Sequence, residues 1–358
     1  MHLPSFLTTL VLGFAATASA RPSSTCVASK KCTNPTVRKS WGSLATSDKT
    51  AYINAVKCMI NTPPKLNEYA AGVTNRWEDF IWTHQRVMPT IHGVGHFLPW
   101  HRLFLFEYER VLRVECGYEG TIPYWDQKAD NADIFASPVF DTEFGFGGNG
   151  AFDPTALIPF INITADGGGC IQDGPFKDLT IHLGYNNDSS YQERCITRNI
   201  IQAPASRWWN AQEENNALAH PTYEIFAELL EGNGNFTFDL GMHNAGHMAV
   251  AGDMLDTWVS PGDPVFYLLH GNIDRIWAKW QQSASAKLFA VGNPIRPRLP
   301  ISDGLLATIP EGNVTLDYVI DLGPLAGDRL KIPVARVMDP MGTVPKGYKK
   351  GLLCYDYE

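Results

Sequence analysis

The chain has no run of clustered Lys or Arg: 29 basic residues are scattered among 37 acidic ones, for a formal net charge of −8. That balance gives no support to nucleic-acid binding or to an anionic membrane patch. Beyond the first twenty residues no stretch is long and apolar enough to span a bilayer, so no membrane partner is expected. There is also no internal repeat, no low-complexity tract and no obvious interdomain linker. With these classes set aside, a 44% hydrophobic and 11% aromatic composition points to a chain able to bury a large core.

Residues 1–20, "MHLPSFLTTLVLGFAATASA", combine an apolar run with a terminal Ala18-Ser19-Ala20, a small-x-small cleavage pattern. They predict a secretory signal peptide, hence a secreted, extracellular protein whose residues 21–358 form a single domain. Export fits seven cysteines, Cys26, Cys32, Cys58, Cys116, Cys170, Cys195 and Cys354, most of which should pair in an oxidising compartment. Seven is odd, so one is left over within a chain. A bridge tying the two ends is expected among Cys26, Cys32 and Cys354, and Cys170–Cys195 would staple a Gly/Asn/Asp-rich stretch. Sequons at Asn162, Asn187, Asn235 and Asn313 make surface glycosylation an expectation.

Helical pattern is visible over 47–60, about 67–87, Pro99 to about Glu115, 221–231, 239–250 and 264–281. In the last of these Asp263 can cap and Pro264 takes the first position. Residues 126–200 are rich in Gly, Asp and Asn and predict long loops. Short apolar runs broken by Gly and Pro after residue 300 predict a few strands. The fold class is therefore mainly α, with long loops and minor β-structure.

Histidine is the informative residue. "IHGVGHFLPWHRLFLFEYER", residues 91–110, sets three of the chain's ten histidines among core-type side chains, and imidazole is costly to bury without a partner. With His84 before it, the first half offers His84, His92, His96 and His101. The second half offers His243 and His247, four apart and so on one helical face, together with His270 in "DPVFYLLHGNIDRIWAKW". Taken singly, each could be a hydrogen-bonded core residue. Taken together they predict two trigonal nitrogen sites, with no Cys, Asp or Glu recurring beside them. Imidazole suits Zn, Cu, Fe and Ni. Hydrolytic zinc pairs normally add carboxylates and di-iron bundles use Glu-x-x-His, whereas an all-neutral set keeps both Cu(I) and Cu(II) accessible. A copper pair can reduce O2 by two electrons, so two copper ions with O2 as co-substrate are expected.

"HGVGHFLPWHRLFLFEYER", "MHNAGH" and "DPVFYLLHGNIDRIWAKW" resemble the copper-binding signatures of the tyrosinase and catechol oxidase family, type-3 copper proteins that include haemocyanin domains. The likeness spans roughly residues 35–358. It implies a four-helix-bundle core holding a dinuclear copper site, with His84, His92 and His101 on one copper and His243, His247 and His270 on the other. His96 would then be a core or supporting residue. Leu269 stands where many members carry a further histidine, and Thr90 stands where fungal members carry a cysteine joined to the second histidine, so that link is absent. Glu231 resembles the family's water-holding glutamate and Asn244 its partner. Asp274 and Arg275 resemble a pair bracing the second site. Phe266 would wall the site and Met248 would shape its mouth. The ending at Tyr355-Asp-Tyr357 resembles short, secreted fungal-type enzymes without a covering domain. The implied activity is oxidation of o-diphenols to o-quinones, with o-hydroxylation of monophenols if Glu231 and Asn244 hold a water. Alternatives are an oxygen carrier of the haemocyanin kind and an aminophenol or methoxyphenol oxidase. Partners are small phenols and O2; oligomeric state is open.

Overall fold

The computed structural model describes residues 32–158, 163–232, 239–298 and 300–358. The leader at 1–20, Cys26 and the sequons at Asn162 and Asn235 lie outside them.

Helix α1 (Thr46–Ile60) buries Tyr52, Ile53, Val56 and Met59 on one face. Helix α2 (Arg76–Ile91) starts where the Asn75 side chain accepts the Glu78 N–H at 3.0 Å, with Glu78 and Asp79 in the first turn. It was expected to run over about 67–87. The stretch before Asn75 is instead irregular: a Cβ on Gly72 would stand 2.7 Å from the His182 carbonyl, a backbone approach that helix would not allow. Pro89 lies inside the helix without ending it. Helix α3 (Phe97–Cys116) stops at Gly117, in the left-handed conformation, whose N–H reaches the Leu112 carbonyl.

Two helices absent from the sequence expectation follow, α4 (Gln202–Trp208) and α5 (Ala211–Ala219), the second capped by the Asn210 side chain on the Glu213 N–H. Then come α6 (Tyr223–Glu231), α7 (Gly241–Val250), α8 (Val265–Gln282) and the short α9 (Asp303–Thr308). Asp263 accepts the Val265 N–H at 2.9 Å, so α8 starts one residue later than expected, with Pro264 as its boundary.

Residues 126–200 are not all loop. They carry short antiparallel pairs, 150–152 with 168–171, 157–158 with 163–164, and 180–183 with 191–195. Each pair is too short to show alternation in sequence. The Thr36–Arg38 strand pairs in parallel with Tyr355–Tyr357, and Cys32–Cys354 closes the chain ends beside it. Cys58–Cys116 ties α1 to α3, and Cys170–Cys195 staples the Gly-rich segment as expected.

The core that positions the site is the α2, α3, α7 and α8 bundle, filled by Trp77, Phe80, Phe104, Tyr108, Phe266, Tyr267 and Trp277. Gly246 of α7 lets α8 come close: a Cβ there would sit 2.3 Å from Leu269 Cδ1. Beneath the bundle, Asp274 of α8 is fully enclosed. It pairs with Arg102 and Arg38 and accepts the Tyr355 hydroxyl at 2.6 Å and the Tyr357 hydroxyl at 2.5 Å. Burial alone would raise its pKa, but Arg102, Arg38 and the two tyrosines hold it below the ordinary carboxylate value. An enclosed ion pair offsets its desolvation only when its other bonds are satisfied, and here the terminal Tyr-x-Tyr segment supplies them.

Candidate metal centre

Three of the bundle's four helices deliver single histidines, among them His101 from α3 and His270 from α8. Helix α7 delivers His243 and His247 from one face, and α2 delivers His84. His92 sits just past the end of α2, on a turn that needs Gly93 at φ 64°, a conformation that suits glycine. Close packing also fixes this turn, since a Cβ on Gly95 would lie 1.9 Å from the Gly292 carbonyl oxygen.

Five of the six Nδ1 nitrogens are anchored. His84 donates to the Trp258 carbonyl at 3.3 Å, His92 to Met88 at 3.1 Å, His101 to Phe97 at 2.9 Å and His247 to Met254 at 2.6 Å. His243 donates to Asn244 Oδ1 at 3.0 Å. Each bond fixes the tautomer and leaves the Nε2 lone pair pointing inward. His84 Nε2, His101 Nε2 and both nitrogens of His270 have no protein partner although buried, and His243 and His247 aim their Nε2 atoms at each other across 3.1 Å. Burial, joined in most by the neighbouring rings, lowers the pKa of all six, to about 4 for His92 and His247. All six are therefore neutral near pH 7, the form that ligates metal.

Within each of the groups His84/His92/His101 and His243/His247/His270 the ligand atoms lie within 4.8 Å of one another, and no carboxylate or thiol belongs to either. The groups face each other: the His101 and His270 rings stack at 4.5 Å and 10°, and His92 lies 6.2 Å from His243. Phe266 packs against both, 4.1 Å from His270 and 5.6 Å from His84. Partnerless, neutral, convergent imidazoles with no fixed anion fit a pair of copper ions.

Other expected residues fall in varied places. His96 is outside both groups; its Nε2 donates to the Thr90 carbonyl at 2.9 Å and closes the turn that carries His92. Thr90 itself donates to the Val87 carbonyl at 2.8 Å, and every cysteine among the described residues is in a disulfide. Glu231, at the end of α6, accepts the Gly93 N–H at 2.6 Å and meets Arg298 at 3.4 Å. Burial, opposed by the Gly93 bond and Arg298, pushes its carboxyl up to about 8. Among the described residues Glu231 and Asn244 share no direct hydrogen bond; the Asn244 oxygen is taken by His243. Met248 is half-buried beside His247. Asp274 and Arg275 are not a pair: Asp274 faces Arg102, the residue after His101, while Arg275 turns to Asn272 at 2.8 Å and to Glu214. Asp274 thus braces α3 against α8, one helical turn beyond His270. Arg298 and the carbonyls of Met88, Phe97, Met254 and Trp258 were not foreseen. A carbonyl leaves no mark in sequence, and Arg298 sits in no motif.

A family model described as the common central domain of tyrosinase matches residues 74–283. N-acetyl-6-hydroxytryptophan oxidase ivoB of Emericella nidulans is 34% identical over 355 residues, covering 91% of this chain and 93% of the relative. Tyrosinase P of Aspergillus terreus is 37% identical over 276 residues, 71% of this chain and 77% of the relative. The solved structure of a polyphenol oxidase from Thermothelomyces thermophila superposes with a TM-score of 0.75 at 30% identity, covering 90% of this chain and 89% of that one. With two facing histidine triads and these relatives, the chain belongs to the tyrosinase family, whose members are copper oxidoreductases with a dinuclear centre that uses O2.

Proposed function

We propose that this chain oxidises small phenols, foremost o-diphenols to o-quinones, and that His84, His92 and His101 hold one copper and His243, His247 and His270 the other. The observation that carries this reading is two facing, neutral triads in which five of the six Nδ1 atoms are anchored and the Nε2 atoms of His84, His101 and His270 have no partner. Copper bound there supplies the electron exchange with O2, and two diphenols provide the four electrons and four protons that convert one O2 to two waters.

The chain supplies placement and proton handling. Phe266, fully buried against both triads, keeps water from the space between them. Met248, half-buried after His247, shapes which rings enter. Glu231, with a carboxyl pushed up to about 8, has the affinity of a general base working near neutrality. With Asn244 it would hold the water that takes the phenolic proton, which favours hydroxylation of monophenols beside diphenol oxidation. A second reading is oxidation of a hydroxyindole or aminophenol, favoured by the relative named for a hydroxylated tryptophan.

Residues 21–358 would form one catalytic domain, exported after removal of the leader. Three disulfides suit an oxidising compartment, and the Asn187 and Asn313 sequons are exposed. The test is O2 uptake by copper-loaded protein with catechol, 4-methylphenol and 2-aminophenol in turn. Uptake with catechol and 4-methylphenol supports the full reading. Catechol alone removes the role given to Glu231 and Asn244. Uptake with 2-aminophenol alone replaces the diphenol reading by the second one.

A further inference from the structure

Apart from the space between the triads, a cleft of about 570 Å3 opens between the end of α2, the Thr257–Trp258 segment and the stretch from Pro300 to Leu305, with the sequon residue Asn187 also in its wall. Its volume falls in the range of small-molecule sites. The walls are mostly apolar, with Met88, Pro89, Trp258, Ile301 and Leu305, and the one charged side chain lining it is Arg86. Among the described residues no Asp or Glu lines the cleft, in a chain whose net charge is −8. Arg86 is exposed, and its guanidinium lies 5.8 Å from the Trp82 ring. Among the described residues it has no carboxylate partner, unlike Arg76 at the start of the same helix and Arg110 and Arg113 on α3. Two cleft residues also touch the metal centre through their backbones: the Met88 carbonyl holds His92 and the Trp258 carbonyl holds His84.

We propose that this cleft binds small aromatic carboxylates, Arg86 taking the carboxylate and Met88, Trp258 and Leu305 flanking the ring. An exposed Arg86 side chain lining an apolar slot, its guanidinium beside Trp82 and Gly323 and free to turn inward, matches that chemistry: the ring leaves water, and the carboxylate keeps a charged partner. The ligand comes from one of two sources, the acidic tail of a phenolic substrate or a separate aromatic acid that is not oxidised. The first source rests on the phenol-oxidase reading above; the binding itself does not.

The test is calorimetric titration of the copper-loaded full chain with 3-phenylpropionate and with its uncharged amide. The acid should bind more tightly than the amide, and Arg86→Gln should weaken the acid about fivefold while leaving the amide unchanged. Leu305→Glu, which puts a like charge in the wall, should weaken the acid as well. Binding of the acid that ignores Arg86→Gln, as direct binding to copper would, overturns the proposal, as does equal binding of acid and amide.

O2 uptake then separates the sources. For a substrate tail, Arg86→Gln raises KM for 3,4-dihydroxyphenylpropionate and leaves that of 4-methylcatechol alone. For a separate ligand, 3-phenylpropionate changes kcat with 4-methylcatechol, and Arg86→Gln abolishes that change. If no catechol is oxidised while Arg86-dependent binding persists, the phenol-oxidase reading fails and the cleft stands.

Discussion

Stripping the metal should destabilise this protein by an amount the structure allows to be sized. Three buried imidazoles, His84, His101 and His270, carry ring nitrogens with no protein partner. A buried acceptor left unsatisfied costs about 1 to 3 kcal/mol, so the three together cost about 3 to 9 kcal/mol when no cation takes their lone pairs. The facing Nε2 atoms of His243 and His247 add to the same side. In a chain of this length 1 kcal/mol moves the melting temperature by roughly 2 °C. Copper removal should therefore lower Tm by about 6 to 18 °C. Scanning calorimetry on copper-loaded and chelator-stripped protein, with metal content measured in both, gives the comparison, and adding copper back should restore the transition. An unchanged Tm after verified removal would refute the reasoning, because the imidazoles would then be satisfied in some other way.

Glu231→Gln should lower turnover of 4-methylphenol by tenfold or more while changing catechol oxidation far less, in line with the usual contribution of a general base; equal losses measured by O2 uptake would count against its role. Arg102→Met leaves Asp274 enclosed with a weakened partner set and should cost about 3 to 5 kcal/mol of stability, read from the urea midpoint. Glu115 gives the pH dependence. Burial would raise its carboxyl, but bonds from Lys65, Arg76 and Arg110 lower it from 4.5 to about 2. Its stabilisation is then present above pH 4.5 and lost as pH falls toward 2. Glu115→Gln should melt below wild type at pH 7 by circular dichroism, and the gap should close near pH 2; a gap that stays constant would contradict the assignment.

The histidines were legible in the sequence because ligation is a property of side-chain type and spacing, and both survive in the primary structure. His84, His92, His101 and His270 each sit in apolar contexts where one imidazole could be a hydrogen-bonded core residue, and it is their recurrence as two groups that points to ligation. Helices α1, α3 and α8 were legible because their apolar faces repeat over several turns. What escaped was set by partners rather than by the residue itself. The start of α2 depends on the Asn75 cap, which competes with an equally plausible helical pattern upstream. Helix α4 carries Pro204 in its first turn, and α5 is rich in Asn and Gln, so both resemble loop. The Cys58–Cys116 bridge follows from α1 lying along α3, a tertiary fact. Arg298 beside Glu231 and the four carbonyls that orient the imidazoles are of the same kind. Asp274 was recognised as structurally important, yet its partner proved to be Arg102 across the bundle rather than its neighbour Arg275.

The central claim is that six particular histidines hold two coppers, and metal content per chain tests it most directly. Plasma emission analysis of purified protein, with His101→Ala, His247→Ala and the two combined, should give two coppers, a loss confined to one site in each single variant, and near-complete loss in the combination. Two coppers retained in the combined variant, or a different metal in the wild type, would contradict the account.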